Sequence, residues 1–221
     1  MEATSVVLYV DPVCPFAWIT SRWLAEVEGL RPIDVEMRLM SLAVLNEHRE
    51  LEDWYREFND RAWGPARVAA FVQRDHGPKA FRAYYEAFGQ LRHVGGGRDH
   101  PRMIAEALAE AGLPADLIRL AEPGPPGADG RVTGVPDGVV AEVAAADAVL
   151  RETQARVARL VGEDLGTPVL ELDGAAFFGP VSTGIARGEE AARQFDAVRI
   201  LAACPDFTEL KRGRTRDLSF D

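Results

Sequence analysis

The chain has 221 residues, 25 Lys and Arg against 35 Asp and Glu for a formal net charge of −10, and 47% apolar positions. That is enough chain to bury a core, either as one domain with a large insertion or as two small domains, and its composition is that of a globular protein, not of a disordered one. The acidic balance argues against nucleic-acid binding, which needs a basic face for phosphate contacts, and no stretch approaches the roughly 20 apolar residues of a membrane span.

Met1-Glu2 leads almost directly into Val6-Val7-Leu8-Tyr9-Val10, with no basic region, apolar h-region or small-residue cleavage site, so the expected location is cytoplasmic. The run from Val6 to Val10 is continuous, β-branched and ends at Asp11-Pro12, the pattern of a buried strand leaving its sheet. Phe16, Ile19, Trp23, Leu24 and Val27 follow at near-helical spacing, with Gly29 as a stop. Val35, Met37 and Leu39 alternate with Glu36 and Arg38, predicting a second strand over 34–42 and completing a βαβ unit with a right-handed crossover.

From about residue 50 to 161 the period becomes helical. Leu51, Trp54, Tyr55, Phe58 and Ala62 form one stripe, and Phe81, Tyr84, Tyr85, Phe88 and Leu91 a second; aromatic stripes of this kind are expected in a core. Asp99-His100-Pro101 predicts a helix start and Gly112 its end, while Val139, Val143, Ala146, Leu150, Val157 and Leu160 mark a long further helix. The Pro/Gly-rich stretch 122–138 has almost nothing to bury and is expected to be a mobile surface loop. Strand signals return at Pro168-Val169-Leu170-Glu171-Leu172, with an Asp173-Gly174 hairpin turn, a strand over 175–178 and a closing helix over about 188–203. Lys211, Arg212, Arg214 and Arg216 read as a solvated tail. The order is β-α-β, a helical insertion, then β-β-α.

Two positions carry chemistry. A lone cysteine is ordinarily a small buried hydrophobe. Cys14, however, stands on a strand-to-helix turn, where unpaired backbone N–H groups and the positive end of the helix dipole favour thiolate over thiol, and Pro15 suits the first helical turn. Thr167-Pro168 stands just before the returning strand, where a cis peptide would present the backbone of Thr167 to a ligand beside the thiol.

Other candidates are weaker. His48, His76, His93 and His100 show no metal-ligand spacing, so no metal is expected. Gly95-Gly96-Gly97 lacks the Lys-Ser/Thr and the preceding strand of a phosphate loop, Pro180-Val181-Ser182-Thr183-Gly184 lacks the first glycine of a nucleophile elbow, and there is no dinucleotide fingerprint. With only Cys14 and Cys204, a disulfide scaffold is poorly supported.

Asp11-Pro12-Val13-Cys14-Pro15-Phe16-Ala17-Trp18, running into Ile19-Thr20-Ser21-Arg22-Trp23, resembles the active-site segment of DsbA-like thioredoxin-fold proteins, and within them most resembles the mycothiol-dependent nitroreductase branch. Met40-Ser41-Leu42-Ala43-Val44-Leu45-Asn46-Glu47, Tyr55-Arg56-Glu57, Arg61-Ala62-Trp63-Gly64-Pro65, Gly162-Glu163-Asp164-Leu165-Gly166-Thr167-Pro168, Ala176-Phe177-Phe178-Gly179-Pro180 and Glu209-Leu210-Lys211-Arg212 extend the likeness along nearly the whole chain. The resemblance implies an α/β thioredoxin fold split by an all-helical insertion, with residues 1–47 and 162–221 as the thioredoxin-like domain and 48–161 as the insertion. It implies a cytoplasmic thiol oxidoreductase with Cys14 as the catalytic residue, and Pro15, Phe16 (at the family's tryptophan position), Trp18, Asn46, Tyr55, Thr167 and Pro168 as substrate contacts. The implied partners are a low-molecular-weight thiol, mycothiol or glutathione-like, and a small aromatic or conjugated substrate held between the active-site turn and the helical insert; a homodimer stays open.

The chain departs from the family pattern at one decisive place. Where the pattern is Cys-Pro-Trp-Cys, the sequence reads Cys-Pro-Phe-Ala, so Ala17 replaces the resolving thiol and no disulfide can cycle within the motif. Cys14 can exchange with an external thiol. Alternatively, Cys14 or a bound thiol can add to a conjugated substrate as in a thiol-dependent isomerase or a kappa-class glutathione transferase. A degenerate binding module is the non-enzymatic alternative.

Overall fold

In a computed structural model of the chain, which describes residues 3–127, 132–135, 138–163 and 166–221, every side chain from Val6 to Val10 is buried, as the unbroken apolar run predicts. That run forms most of β1 (Thr4–Val10), followed by α1 (Pro15–Glu28) and β2 (Ile33–Leu39). The last strands are β3 (Val169–Leu172) and β4 (Ala175–Phe178), and the last helix is α7 (Gly188–Ala202). The four strands form one sheet in the order β2-β1-β3-β4. β3 runs antiparallel to β1, with Tyr9 opposite Val169 and Leu8 opposite Leu170, and β4 runs antiparallel to β3. The hairpin between them turns on two residues, Asp173 (φ 50°) and Gly174 (φ 84°), the positive-φ pair that an Asp-Gly turn supplies. These are the β-α-β and β-β-α halves of a thioredoxin fold.

The chain divides into two units. The first comprises Met1–Val10, Cys14–Arg38 and Val157–Asp221; the second comprises Asp11–Val13 and Leu39–Arg156. In the first, Ile19, Trp23, Leu24 and Val27 of α1 are buried with Ala191, Ala192 and Phe195 of α7. The Trp23 and Phe195 rings lie 6.1 Å apart, and Trp23 Nε1 donates to the Ala191 carbonyl at 3.1 Å, satisfying the indole polar atom inside the core.

The second unit begins with α2 (Leu42–Leu45), a short helix that ends the strand earlier than the alternating pattern suggests: Ser41 leaves the sheet to cap it, accepting from the Val44 N–H at 3.3 Å. Then come α3 (Asp53–Phe71), α4 (Gly77–Gly89), α5 (His100–Glu110), a 3₁₀ turn (Ala115–Ala121) and α6 (Val140–Val161), whose last turn falls in the first unit. As predicted, Asp99 caps α5, and Phe81, Tyr84, Tyr85 and Phe88 are fully buried. The first aromatic stripe behaves differently, because Trp54 is 71% exposed and Tyr55 and Phe58 are half-buried. Uniform helical periodicity also hides two π-helical turns, Val72–His76 and Gln90–Val94, which follow α3 and α4.

Of the Pro/Gly-rich loop, residues 128–131 and 136–137 lie outside the described residues, as do Asp164 and Leu165 of the 162–168 segment. Part of the rest is tied down. Pro126 bridges to Val132, and the carbonyls of Pro123 and Gly124 accept from Arg67 Nη1 at 2.8 and 3.0 Å. Arg67 is fully buried; its Nε and Nη2 pair with the Asp147 carboxylate at 2.7 and 3.2 Å, and its guanidinium lies 5.2 Å from the Trp63 ring. The basic tail is not free either: Ser219 N–H donates to the Thr183 carbonyl at 2.8 Å, and Arg214 reaches Phe16. Among the described residues no helix is long and apolar enough to cross a membrane.

A buried guanidinium stripped of its counter-charge is costly, because no water can replace the carboxylate. Asp147→Ala is therefore expected to destabilise the protein by about 3–5 kcal/mol in urea titrations followed by far-UV circular dichroism. A loss under about 1 kcal/mol would mean that solvent reaches Arg67.

Candidate active site

Cys14 occupies the N-cap of α1 in an extended conformation (φ −81°, ψ 114°), with its side chain making no cap hydrogen bond and Pro15 in the first helical turn. The helix begins here because Pro15 sets φ and loses no intrahelical bond, while the carbonyl of Cys14 accepts the first regular one from Trp18 N–H at 3.1 Å. The thiol is 4% exposed, and its Sγ donates to the Thr167 carbonyl at 3.4 Å. The Thr167-Pro168 peptide is cis, and Thr167 Oγ1 donates to the Tyr9 carbonyl at 3.2 Å, so the β1–β3 pairing carries the residue that faces the thiol. A second cis bond, Gly179-Pro180, was not foreseen; the Pro180 carbonyl lies 2.9 Å from Thr20 Oγ1 of α1.

The neighbours of Cys14 divide by exposure. Pro15 and Phe16 are half-buried and form the open part of the turn. Ala17 is fully buried, while Trp18 is 2% exposed, with the Arg22 guanidinium 4.8 Å from its ring. Cys204 follows α7, is exposed, and donates to the Ile200 carbonyl at 3.5 Å.

In the second unit Asn46 and Tyr55, expected as substrate contacts, are joined directly. Asn46 Nδ2 lies 3.4 Å from Tyr55 Oη and 3.3 Å from Asn59 Oδ1, Asn59 Nδ2 donates to the Ala43 carbonyl at 3.3 Å, and the Tyr55 ring stacks on Phe58 at 5.9 Å. Asn59 escaped the sequence reading, although its position one helical turn after Tyr55 on the same face of α3 is the signal that could have found it.

Two titratable groups were also missed. Asp11 is completely buried and accepts from Val13 N–H and Leu42 N–H, both at 2.8 Å; the first bond is an Asx turn, legible as an aspartate ending an apolar run. Burial pushes its carboxyl up to about 6, against the two backbone donors that favour the anion. His93, in the second π turn, is buried with Nε2 3.2 Å from the Pro12 carbonyl, so Nε2 carries the proton. Burial pulls His93 down to about 4, keeping it neutral. Both groups fasten the two or three residues ahead of Cys14. Among the described residues no group of three His, Cys, Asp or Glu side chains is placed to hold a metal.

A model of the Rv2466c-like family, described as mycothiol-dependent nitroreductase Rv2466c, matches residues 13–212. Protein Rv2286c of Mycobacterium tuberculosis, uncharacterised, is 28% identical over 214 residues, 96% of this chain and 83% of its own. A solved structure from Nitrosomonas europaea, provisionally named a protein disulfide isomerase, is similar at a TM-score of 0.50 and 14% identity, covering 92% of this chain and 100% of that one. MdbA, a thiol-disulfide oxidoreductase from Corynebacterium matruchotii, aligns at a TM-score of 0.47 and 13% identity over 80% of this chain and 77% of its own.

The two buried titrations act in opposite directions. Asp11, with its pKa raised to about 6, binds more protons folded than unfolded, so its contribution falls as pH rises from about 4 to 6. His93, lowered to about 4, binds fewer protons when folded, so its contribution rises between about 4 and 6.5. Each shift amounts to about 3 kcal/mol. Relative to wild type, Asp11→Asn is expected to gain stability with rising pH across this window and His93→Gln to lose it, as read from urea midpoints at half-unit steps; parallel profiles for all three proteins would refute both assignments.

Proposed function

The chain belongs to the Rv2466c-like family of mycothiol-dependent nitroreductases and is a thiol-dependent oxidoreductase, and we propose that it works through Cys14 as its only reacting cysteine, with mycothiol or a similar small thiol supplying what the motif lacks. The observation that carries this reading is the pair formed by Cys14 and Ala17: a thiol at the helix start facing the Thr167 carbonyl, and a fully buried alanine three residues on, where a second sulfur would close a disulfide.

With one protein sulfur, a two-electron cycle consumes two external thiols. Cys14 and one small thiol are oxidised together to a mixed disulfide as the substrate accepts two electrons and two protons. A second thiolate then attacks the mixed disulfide, releasing the small-thiol disulfide and returning the Cys14 thiolate. The open side of the turn, Pro15 and Phe16, is an apolar surface suited to an aromatic or conjugated substrate, with the backbone at Thr167-Pro168 beside the sulfur. Trp18, inside the first unit, serves this surface by supporting α1 from within. Asn46 and Tyr55, held together by their hydrogen bond, are the substrate contacts we assign to the second unit. The buried Ala17 favours this exchange over dithiol cycling; thiol addition without net electron transfer, as in a thiol-dependent isomerase, uses the same sulfur and is separated from it by the electron balance.

After exposure to oxidised mycothiol or glutathione, intact mass is expected to show one thiol adduct on the Cys204→Ser protein and none on Cys14→Ser,Cys204→Ser. Absence of an adduct in the first would end the exchange reading. Ala17→Cys should close an internal disulfide, as two cysteines flanking a two-residue turn can. It should also turn over a disulfide or nitroaromatic substrate with a dithiol reductant alone, whereas wild type should stop without the small thiol. Wild-type conversion of a conjugated substrate with no thiol oxidised would instead mark an isomerase or transferase.

A further inference from the structure

The basic segment near the C-terminus reads as a solvated tail, yet it lies back on the first unit. Ser219 N–H donates to the Thr183 carbonyl at 2.8 Å, and Leu218 and Phe220 are partly buried, so the end of the segment is fastened. Between this anchor and α7, the Arg214 guanidinium sits over the ring of Phe16, 5.1 Å from its centroid. Phe16 is half-buried and belongs to the Cys-Pro-Phe-Ala turn, two residues past Cys14, a separation that holds their Cα atoms within about 7 Å. Arg214 therefore places a positive charge on the half-buried side chain of the active-site turn.

Arg214 differs from the paired cations around it. Five arginines of the first unit have a carboxylate partner, such as Arg31 with Asp196 at 2.8 Å and Arg187 with Glu26 at 2.7 Å. Among the described residues no carboxylate lies within ion-pairing distance of Arg214, although the chain has ten more acidic than basic residues. Its N–H donors are thus left for an incoming oxyanion while the aromatic ring holds the group in place.

We propose that the C-terminal segment is a strap that makes Arg214 a specificity-determining residue of the Cys14 site, favouring small partners that carry a carboxylate or similar anionic group close to the atom that reacts with sulfur. The inference rests on the reading of Cys14 as the reacting thiol and adds a charge preference to it. Selection works on approach: the guanidinium over Phe16 draws an anionic partner to the turn that carries Cys14.

Two reagents of nearly equal size test this directly. In the full chain carrying Cys204→Ser, alkylation of Cys14 by iodoacetate, an anion, and by iodoacetamide, which is neutral, displaces iodide in the same way and gives two second-order rate constants. Arg214→Ala is expected to lower the iodoacetate-to-iodoacetamide ratio about two- to threefold at low ionic strength, and the difference should shrink in 1 M salt, where the screening length falls to about 3 Å. Arg214→Lys should keep most of the ratio, and truncation after Gly213 should lose it as Arg214→Ala does. A ratio unchanged in Arg214→Ala while iodoacetamide still modifies Cys14 overturns the role of Arg214 and leaves the thiol standing. No modification of Cys14 by either reagent in the parent overturns both readings.

Discussion

The register of β1 against β3 is the constraint on which the thiol site depends. Tyr9 pairs with Val169 and Leu8 with Leu170, so the residues just outside the ladder, Thr167 at one strand's start and Cys14 a short turn beyond the other's end, come within 3.4 Å of each other through the Sγ and carbonyl oxygen. Thr167 reinforces the register by donating its hydroxyl to Tyr9. A slip of one residue would exchange the two faces of β3, both of which are buried, and carry the Thr167 carbonyl away from the sulfur. Burial of Val169, Leu170 and Leu172 therefore does chemical as well as structural service, since the same apolar faces that close the core hold the site in alignment.

The segment leading into Cys14 shows a different economy. Asp11-Pro12-Val13 contains no regular structure, and its conformation depends on polar groups buried at a cost: the Asp11 carboxylate takes two backbone N–H groups, and His93 meets the Pro12 carbonyl. Burying a carboxyl and an imidazole disfavours the charged form of each, and the resulting shifts have opposite consequences for stability as pH changes. Costly polar arrangements are common where backbone must be held for function, and here they fix the segment that precedes Cys14 in the chain.

On the proposed reading, with Cys14 as the one reacting sulfur, the surrounding structure must provide more. A dithiol motif resolves its own mixed disulfide, whereas a monothiol site depends on a second molecule arriving in the right orientation and leaving again. Features at the mouth of the turn then matter more than those beneath it. The half-buried Phe16 and the guanidinium above it form that mouth in the first unit. Ala17 and Trp18 lie behind it as packing.

Much of this was legible in residue order. The unbroken run at Val6 to Val10, the spacing of Ile19, Trp23, Leu24 and Val27, and the Asp173-Gly174 pair each identify an element from local physics, because apolar period and turn stereochemistry are properties of short segments. Cys14 at a helix start and Thr167-Pro168 at a strand start were visible for the same reason. Other features required the folded chain. Trp54 is exposed although it shares a period with half-buried Tyr55 and Phe58 and buried Ala62, since periodicity marks a face without saying whether anything covers it. The π turns, the neutral His93, the raised Asp11 and the Arg214–Phe16 contact join residues from 2 to 198 positions apart or depend on local dielectric. Sequence by itself determined which segments become strands and helices and which cysteine stands at a helix start; tertiary structure alone decided which polar groups are buried and that Arg214 lies over Phe16, because burial and long-range proximity are properties of the packed chain and not of any stretch of it.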